Sequence, residues 1–189
     1  MNRLVILIRV SLRRLLIACV SVGVIAGCSP TYDWREIRSD EGQWIALFPE
    51  KPVEVSRTIQ LPNQTTPVRF TLRSSRIGET MFAVGWTASG DESVRQALEM
   101  AMLNNIQARA ATVQRKTVSI ASRSGFEVTA EGLMKTDAAA PAVAAKIWMK
   151  SLVRQRPTPQ VIEILAVGPA TELSEETARQ FIDSLKFPD

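Results

Sequence analysis

The chain has 189 residues, 23 of them basic and 19 acidic, for a formal net charge of +4, with two cysteines and no histidine. Without histidine, the usual general base, the commonest metal ligand and the usual pH switch are all missing. The nine glycines are scattered, and no phosphate loop or dinucleotide fingerprint is formed.

The chain opens on Arg3, Arg9, Arg13 and Arg14 without an acid, followed by the apolar run 15–26. Basic, then apolar, then small residues is the order of a secretory signal. Ile25-Ala26-Gly27-Cys28 resembles a bacterial lipobox. The resemblance implies cleavage before Cys28 and a diacylglyceryl group on its sulfur. Ser29 follows the cysteine, which by the sorting pattern of such proteins implies an outer membrane and a domain facing the periplasm. The competing reading is an uncleaved anchor. Its apolar core is 12 residues, whereas a span needs about 20, and upstream extension meets Arg13 and Arg14. Cleavage leaves 162 residues with 19 basic and 19 acidic side chains. The basic balance then belongs to the targeting segment, and net charge offers no argument for nucleic acid. Cys19 leaves with the signal and Cys28 is alkylated, so no thiol remains for a disulfide, metal or nucleophile.

Residues 28–41 read as a tether, with Tyr32, Trp34 and Ile37 placed to pack on the domain or on lipid headgroups. Residues 42–189 read as one domain. A short strand is expected over 44–48. In 53–61, Val53, Val55, Ile59 and Leu61 share a side, with Arg57 the exception. Pro62-Asn63-Gln64 is a turn signal. Val68, Phe70 and Leu72 alternate with Arg69, Thr71 and Arg73, the mark of a half-solvated antiparallel strand. Residues 81–87 are a more continuous apolar strand. Asp91 or Ser93 caps a helix over about 94–110, with Val94, Ala97, Leu98, Ala101 and Met102 as its apolar stripe. Arg95, Gln96, Glu99 and Asn104 are expected to face water. Strands follow over 117–121 and 125–131, joined by a turn at 122–124. An alanine-rich loop covers 133–142. Two long strands, 143–153 and 160–167, are joined through Arg154-Gln155-Arg156-Pro157-Thr158-Pro159. Ser174 caps a last helix whose apolar face is Ala178, Phe181, Ile182 and Leu185. The pattern predicts an α+β fold: a mostly antiparallel sheet of about 7–8 strands with helices on its faces.

Three segments carry a family resemblance: Phe48-Pro49-Glu50-Lys51-Pro52 after a short strand, the long helix after the first meander, and Phe181-Ile182-Asp183-Ser184-Leu185-Lys186-Phe187 at the end. Together they resemble the α/β/α sandwich shared by PsbP, the extrinsic subunit of photosystem II, and a small Ran-binding import factor. Tyr32-Asp33-Trp34-Arg35-Glu36-Ile37 beside a lipobox resembles a group of proteobacterial predicted lipoproteins. The resemblance implies a PsbP-like fold over about 42–188. It carries no functional residue across, since fold does not fix function, and the metal-binding histidines of the photosystem relatives have no counterpart here.

Catalytic patterns are thin. Glu127 and Glu131 share a strand face but are four residues apart, about 13 Å. Ser-x-x-Lys and Gly-x-Ser-x-Gly do not occur. The sharper candidate is Lys146-Ile147-Trp148-Met149-Lys150, where period two puts Lys146, Trp148 and Lys150 on one face. A tryptophan between two cations suits an anionic glycan, a headgroup or a peptide carboxylate. It equally suits a tryptophan covered by a helix, with lysine stems lying over it. Arg154 and Arg156, in a loop with two prolines, are a second candidate contact. The reading is therefore a non-enzymatic envelope module that binds or scaffolds a protein or polymer, tethered to the membrane through Cys28, with no metal, cofactor or nucleic acid. The alternative is a carrier of a hydrophobic small molecule, lipid or peptide, with Met81, Phe82, Trp86, Met100 and Met102 lining its pocket.

Overall fold

Residues 31–61, 64–135 and 139–188 are described by the structure, a computed structural model of the chain. Cys28 and its lipobox lie outside them, as do Pro62 and Asn63 of the expected turn.

β1 (Arg35–Ser39) and β2 (Trp44–Phe48) form a hairpin. The main sheet has seven strands: β3 (Val53–Ile59), β4 (Val68–Ile77), β5 (Thr80–Thr87), β6 (Gln114–Ile120), β7 (Arg123–Met134), β8 (Val143–Arg154) and β9 (Gln160–Pro169). Their spatial order is β3-β4-β5-β9-β8-β7-β6, with every neighbour antiparallel. Helix α1 (Glu92–Asn105) follows β5 and helix α2 (Glu175–Ile182) follows β9. The fold is α+β, as its periodicities predict. Both cap residues act: Asp91 accepts from the Ser93 amide at 2.8 Å, and the Ser174 hydroxyl from the Thr177 amide at 3.1 Å.

The sheet is covered on both sides. β9 is buried at all ten positions. Ile162, Ile164 and Ala166 join Phe82, Val84, Trp86, Trp148 and Leu152 beneath the β1–β2 hairpin and α2. Val161, Leu165 and Val167 face the other way, toward the clusters that contain Val94, Leu98 and Ile106. Ala178, Phe181, Ile182 and Leu185 are buried, as their spacing requires. Phe181 meets Phe48 at 5.1 Å and Phe82 at 5.4 Å between ring centroids, both edge-on.

Several expectations are corrected. The segment expected as a tether up to residue 41 is largely domain: the compact unit begins at Tyr32, and 35–39 are a strand. Tyr32 stacks on Trp34 at 5.7 Å, and both meet Phe82 edge-on. Burial of three aromatic rings explains the ordering. Val53 and Val55, expected to share a side with Ile59 and Leu61, are 67% and 44% exposed, because β3 is an edge strand and only Ile59 and Leu61 of that side join the cluster under α1. α1 stops at Asn105, five residues early. The β6–β7 turn sits at Ala121-Ser122, with φ of 45° and 66°, rather than over 122–124. Two consecutive positive φ values are what a tight two-residue hairpin requires. Leu133 and Met134, expected in a loop, continue β7 by pairing with Ala144 and Val143.

Gly132 locks the end of α1 to β7. A Cβ there would stand 2.0 Å from the Ile106 carbonyl oxygen and 3.1 Å from Ala108 Cα. The close approach permits the Leu133 amide to donate to Ile106 O at 2.6 Å and the Arg109 amide to Glu131 O at 2.9 Å. Gly132→Ala is expected to cost about 1–3 kcal/mol of stability through overpacking against backbone. Urea titration reads this as a lower midpoint at constant slope; an unchanged midpoint would show that the junction yields freely.

Candidate functional site

The β7–β8 register sets Glu131, Thr129 and Glu127 opposite Lys146, Trp148 and Lys150. β6 adds Gln114 opposite Thr129 and Lys116 opposite Glu127. Period two puts these side chains on the face that carries α2. There the sheet extends past the helix, and a polar groove of about 670 Å³ opens, with Glu175 and Arg179 of α2 as one wall and Trp148 in its floor.

Most charges in and around the groove satisfy each other. Glu127 is buried and holds Lys116 at 2.9 Å, Arg179 at 3.4 Å and Lys150 at 3.7 Å. Burial alone raises its pKa, but the hydrogen bond and charge of Lys116, with the charges of Lys150 and Arg179, outweigh this and hold it below the usual carboxylate range. Lys150 also binds Asp183, Arg179 binds Glu175, and Glu131 binds Arg109. Lys146 is different. Its ammonium lies 6.0 Å from the Trp148 ring centroid, over the π face. Among the described residues no carboxylate pairs with it. The groove thus carries one half-buried ammonium available for an anion, beside the neutral donors Gln114 and Thr129.

The sequence candidates separate as follows. Lys146, Trp148 and Lys150 share a face, as period two requires, and Lys146 and Trp148 line the groove. Trp148 is only 8% exposed, a core residue rather than an open platform. Lys150 is committed to Asp183 and Glu127. Arg154, expected as an exposed contact, is buried. Its guanidinium donates to Gln43 O at 2.9 Å, Gly42 O at 3.2 Å and the Gln160 side chain, and lies 5.2 Å from the Phe187 ring. It clamps the β1–β2 turn to the sheet, because β8 carries it onto that face beside β9. Arg156 is exposed. The five residues suggested for a carrier pocket do not converge. Phe82 and Trp86 are buried under α2 and the hairpin, Met81 and Met102 pack on the opposite face, and Met100 is exposed.

A second polar cluster went unread in the sequence. Arg95, expected to face water, is fully buried under α1. It donates to Glu92 at 2.8 Å, to Glu99, and to Ser151 Oγ at 2.9 Å, with its guanidinium 4.5 Å from the Phe126 ring. Beside it lies Glu163, fully buried, with neither carboxyl oxygen hydrogen-bonded. Burial, then the charge of Glu99, push the Glu163 carboxyl up to about 8, against the pull of Arg95. The signal in the sequence was a lone acid within the apolar run 161–167. The cluster lies on the face of the sheet opposite the groove, so its raised pKa does not provide an acid or base for a ligand there.

Among the described residues, no group of three or more Cys, Asp or Glu side chains is arranged to hold a metal ion. Nor is any helix among them long and apolar enough to cross a membrane. Compared with known families and with curated proteins, the chain matches no family model and no curated protein.

Proposed function

We propose that the chain is a lipid-anchored envelope protein, held through Cys28 on the periplasmic side of an outer membrane, that binds an anionic group of an envelope partner in the groove at Lys146. A PsbP-like α/β/α sandwich is part of the same reading. It is supported by an antiparallel sheet with a helix on each side and by the three sequence segments that resemble that family. The anchor is supported by the order of charge, apolar run and lipobox. No catalytic role is proposed.

One observation carries the binding reading. Lys146 is the groove cation with no carboxylate partner among the described residues, while Lys116, Arg115 and Arg179 each have one. A half-buried ammonium with no carboxylate beside it favours an incoming anion. The test is photo-crosslinking in the intact envelope from a reactive residue placed at Gln114. Lys146→Glu is expected to cut the crosslinked species by about tenfold, the scale of one lost charge-assisted contact, with the melting temperature unchanged. Equal crosslinking in both proteins, or only monomer in both, would remove the groove from the reading. Trp148→Ala is a poor substitute, because it opens the core.

A further inference from the structure

The seven-stranded sheet ends on two strands, β3 and β6. An edge strand offers its outward N–H and C=O groups to any strand that can pair with them. The two edges are finished differently. On β6, Arg115 and Lys116 point to opposite faces, and each is held by a carboxylate, Glu99 at 3.3 Å and Glu127 at 2.9 Å. Charged side chains fixed along an edge keep other strands away.

β3 lacks that finish. Its pairing with β4 runs without a bulge from Val53↔Ser74 to Ile59↔Val68, and it contains no lysine or proline. Every residue from Val53 to Thr58 is exposed. Glu54, Ser56 and Thr58 face the side of the β1–β2 hairpin, where Glu54 takes Arg73 at 2.7 Å and Ser56 Oγ meets Thr71 Oγ1 at 2.8 Å. Val53, Val55 and Arg57 face the side of α1, with Ile59. Leu72, opposite Val55, is half-buried and packs into both clusters on that side. The apolar surface therefore runs from the core out to an open edge, where Val53 is 67% and Val55 44% exposed. Arg57 stands beside them, with no carboxylate partner among the described residues.

A second copy of the chain complements this edge. In one sheet, two antiparallel strands related by a two-fold have its axis normal to the sheet, so that one residue lies opposite its own copy. Two registers use most of β3. With the axis at Ser56, the two Arg57 side chains flank it on the α1 face, where neither β3 nor β4 carries an acid. With the axis at Val55, Val55 packs on Val55 of the second copy, and each Arg57 lies across from Val53. Its stem then covers the most exposed valine, and its charge stands about 14 Å from the other Arg57. On the opposite face Glu54 meets Ser56, its charge already held by Arg73. Charge selects the axis at Val55.

We infer that β3 is the interface through which two copies of this chain join edge to edge, antiparallel about a two-fold at Val55, so that two sheets become one. Main-chain hydrogen bonds supply the attraction, and burial of Val53 and Val55 fixes the register. The Lys146 groove lies toward the other edge of the sheet and stays clear of the pair. An axis normal to the sheet puts both grooves on one face, where a partner with repeated anionic groups can engage two at once. That consequence rests on the groove reading above, whereas the pairing itself does not.

The experiment treats the full chain carrying Val55→Cys with a short bis-maleimide in intact membranes. The native chain, which keeps Cys19 and Cys28, gives the baseline. Directly opposite residues hold their Cβ atoms about 5 Å apart, so a covalent dimer about fivefold or more above baseline is expected. Val53→Cys alone, about 14 Å from its own copy, is expected to stay at baseline and to yield the dimer when co-expressed with Arg57→Cys. Val55→Lys sets two like charges across the axis. It is expected to raise the dimer dissociation constant in mild detergent, measured by sedimentation, about tenfold or more, with the melting temperature unchanged. Val55→Cys that stays monomeric, or that links to a different protein, overturns the pairing. So does an unchanged dissociation constant for Val55→Lys. Equal linkage from Val53→Cys and Val55→Cys overturns the two-fold at Val55, and with it a specific interface.

Discussion

Folding stability is expected to fall as pH rises from about 4.5 to about 8, with Glu163 as the cause. Its carboxyl is held at about 8 in the folded protein, against an ordinary value near 4.5 in the unfolded chain. Between those limits the folded state keeps a proton that the unfolded state has lost. Stability therefore decreases with pH in that window, by about 1.4 kcal/mol per pH unit from this group. Below the window the contribution is fully present, and above it is fully lost. Glu127 acts in the opposite sense: its pKa is held below the usual range, so its contribution is lost as pH falls. The two together place maximum stability in mildly acidic solution.

The cause is geometric. Glu163 sits on β9, opposite Gly85 of β5 and Ser151 of β8. α1 closes over it with Arg95 and Glu99, and Phe70 fills the space above Gly85, its ring within 2.3 Å of where a Cβ would be. Ser151 Oγ is already engaged by Arg95. Neither carboxyl oxygen has a hydrogen-bond donor, so ionisation there would strand a charge. Urea melts of the native protein and Glu163→Gln across pH 5 to 9 test this. The native midpoint should drop steadily toward pH 8, and that of Glu163→Gln should stay nearly level. Parallel curves for the two proteins would place the pH dependence elsewhere.

How far the sequence revealed this molecule depends on which scale of organisation is asked. Local patterns were legible. The spacing of Ala178, Phe181, Ile182 and Leu185 names the buried face of α2, and the alternation at Lys146, Trp148 and Lys150 names one face of β8. What alternation does not contain is a strand's neighbours. Val53 and Val55 alternate like core residues, yet β3 has a partner on one side only. Arg95 sits at the margin of its helix stripe, and only the position of α1 over Ser151 and Phe126 decides that it is buried. The groove is a further step away. Its lysine was visible as a residue, but Lys146 has no carboxylate partner among the described residues, where Glu127, Glu131 and Glu175 are each engaged by another cation. Those pairings depend on register and on the docking of α2, neither of which a linear pattern encodes.

Arg95→Met is expected to destabilise the protein by about 3–5 kcal/mol, the range for deleting one partner of a buried charge network. Glu99 would keep only Arg115, at 3.3 Å, and Phe126 would lose one of the two guanidinium groups packed on it. Coupling to Glu163 then distinguishes two states of the cluster. If the Glu163 carboxyl is protonated near neutrality, Arg95 and Glu163 interact weakly there. In a double-mutant cycle of Arg95→Met and Glu163→Gln, the coupling energy should be close to zero at pH 6. It should grow toward about 1–2 kcal/mol at pH 9, when the carboxylate forms and the Arg95 guanidinium attracts it. A large coupling already present at pH 6 would mean that the pair is ionic throughout. The stability decline between pH 4.5 and 8 would then have no source in Glu163, so the cycle and the melts stand or fall on one proton.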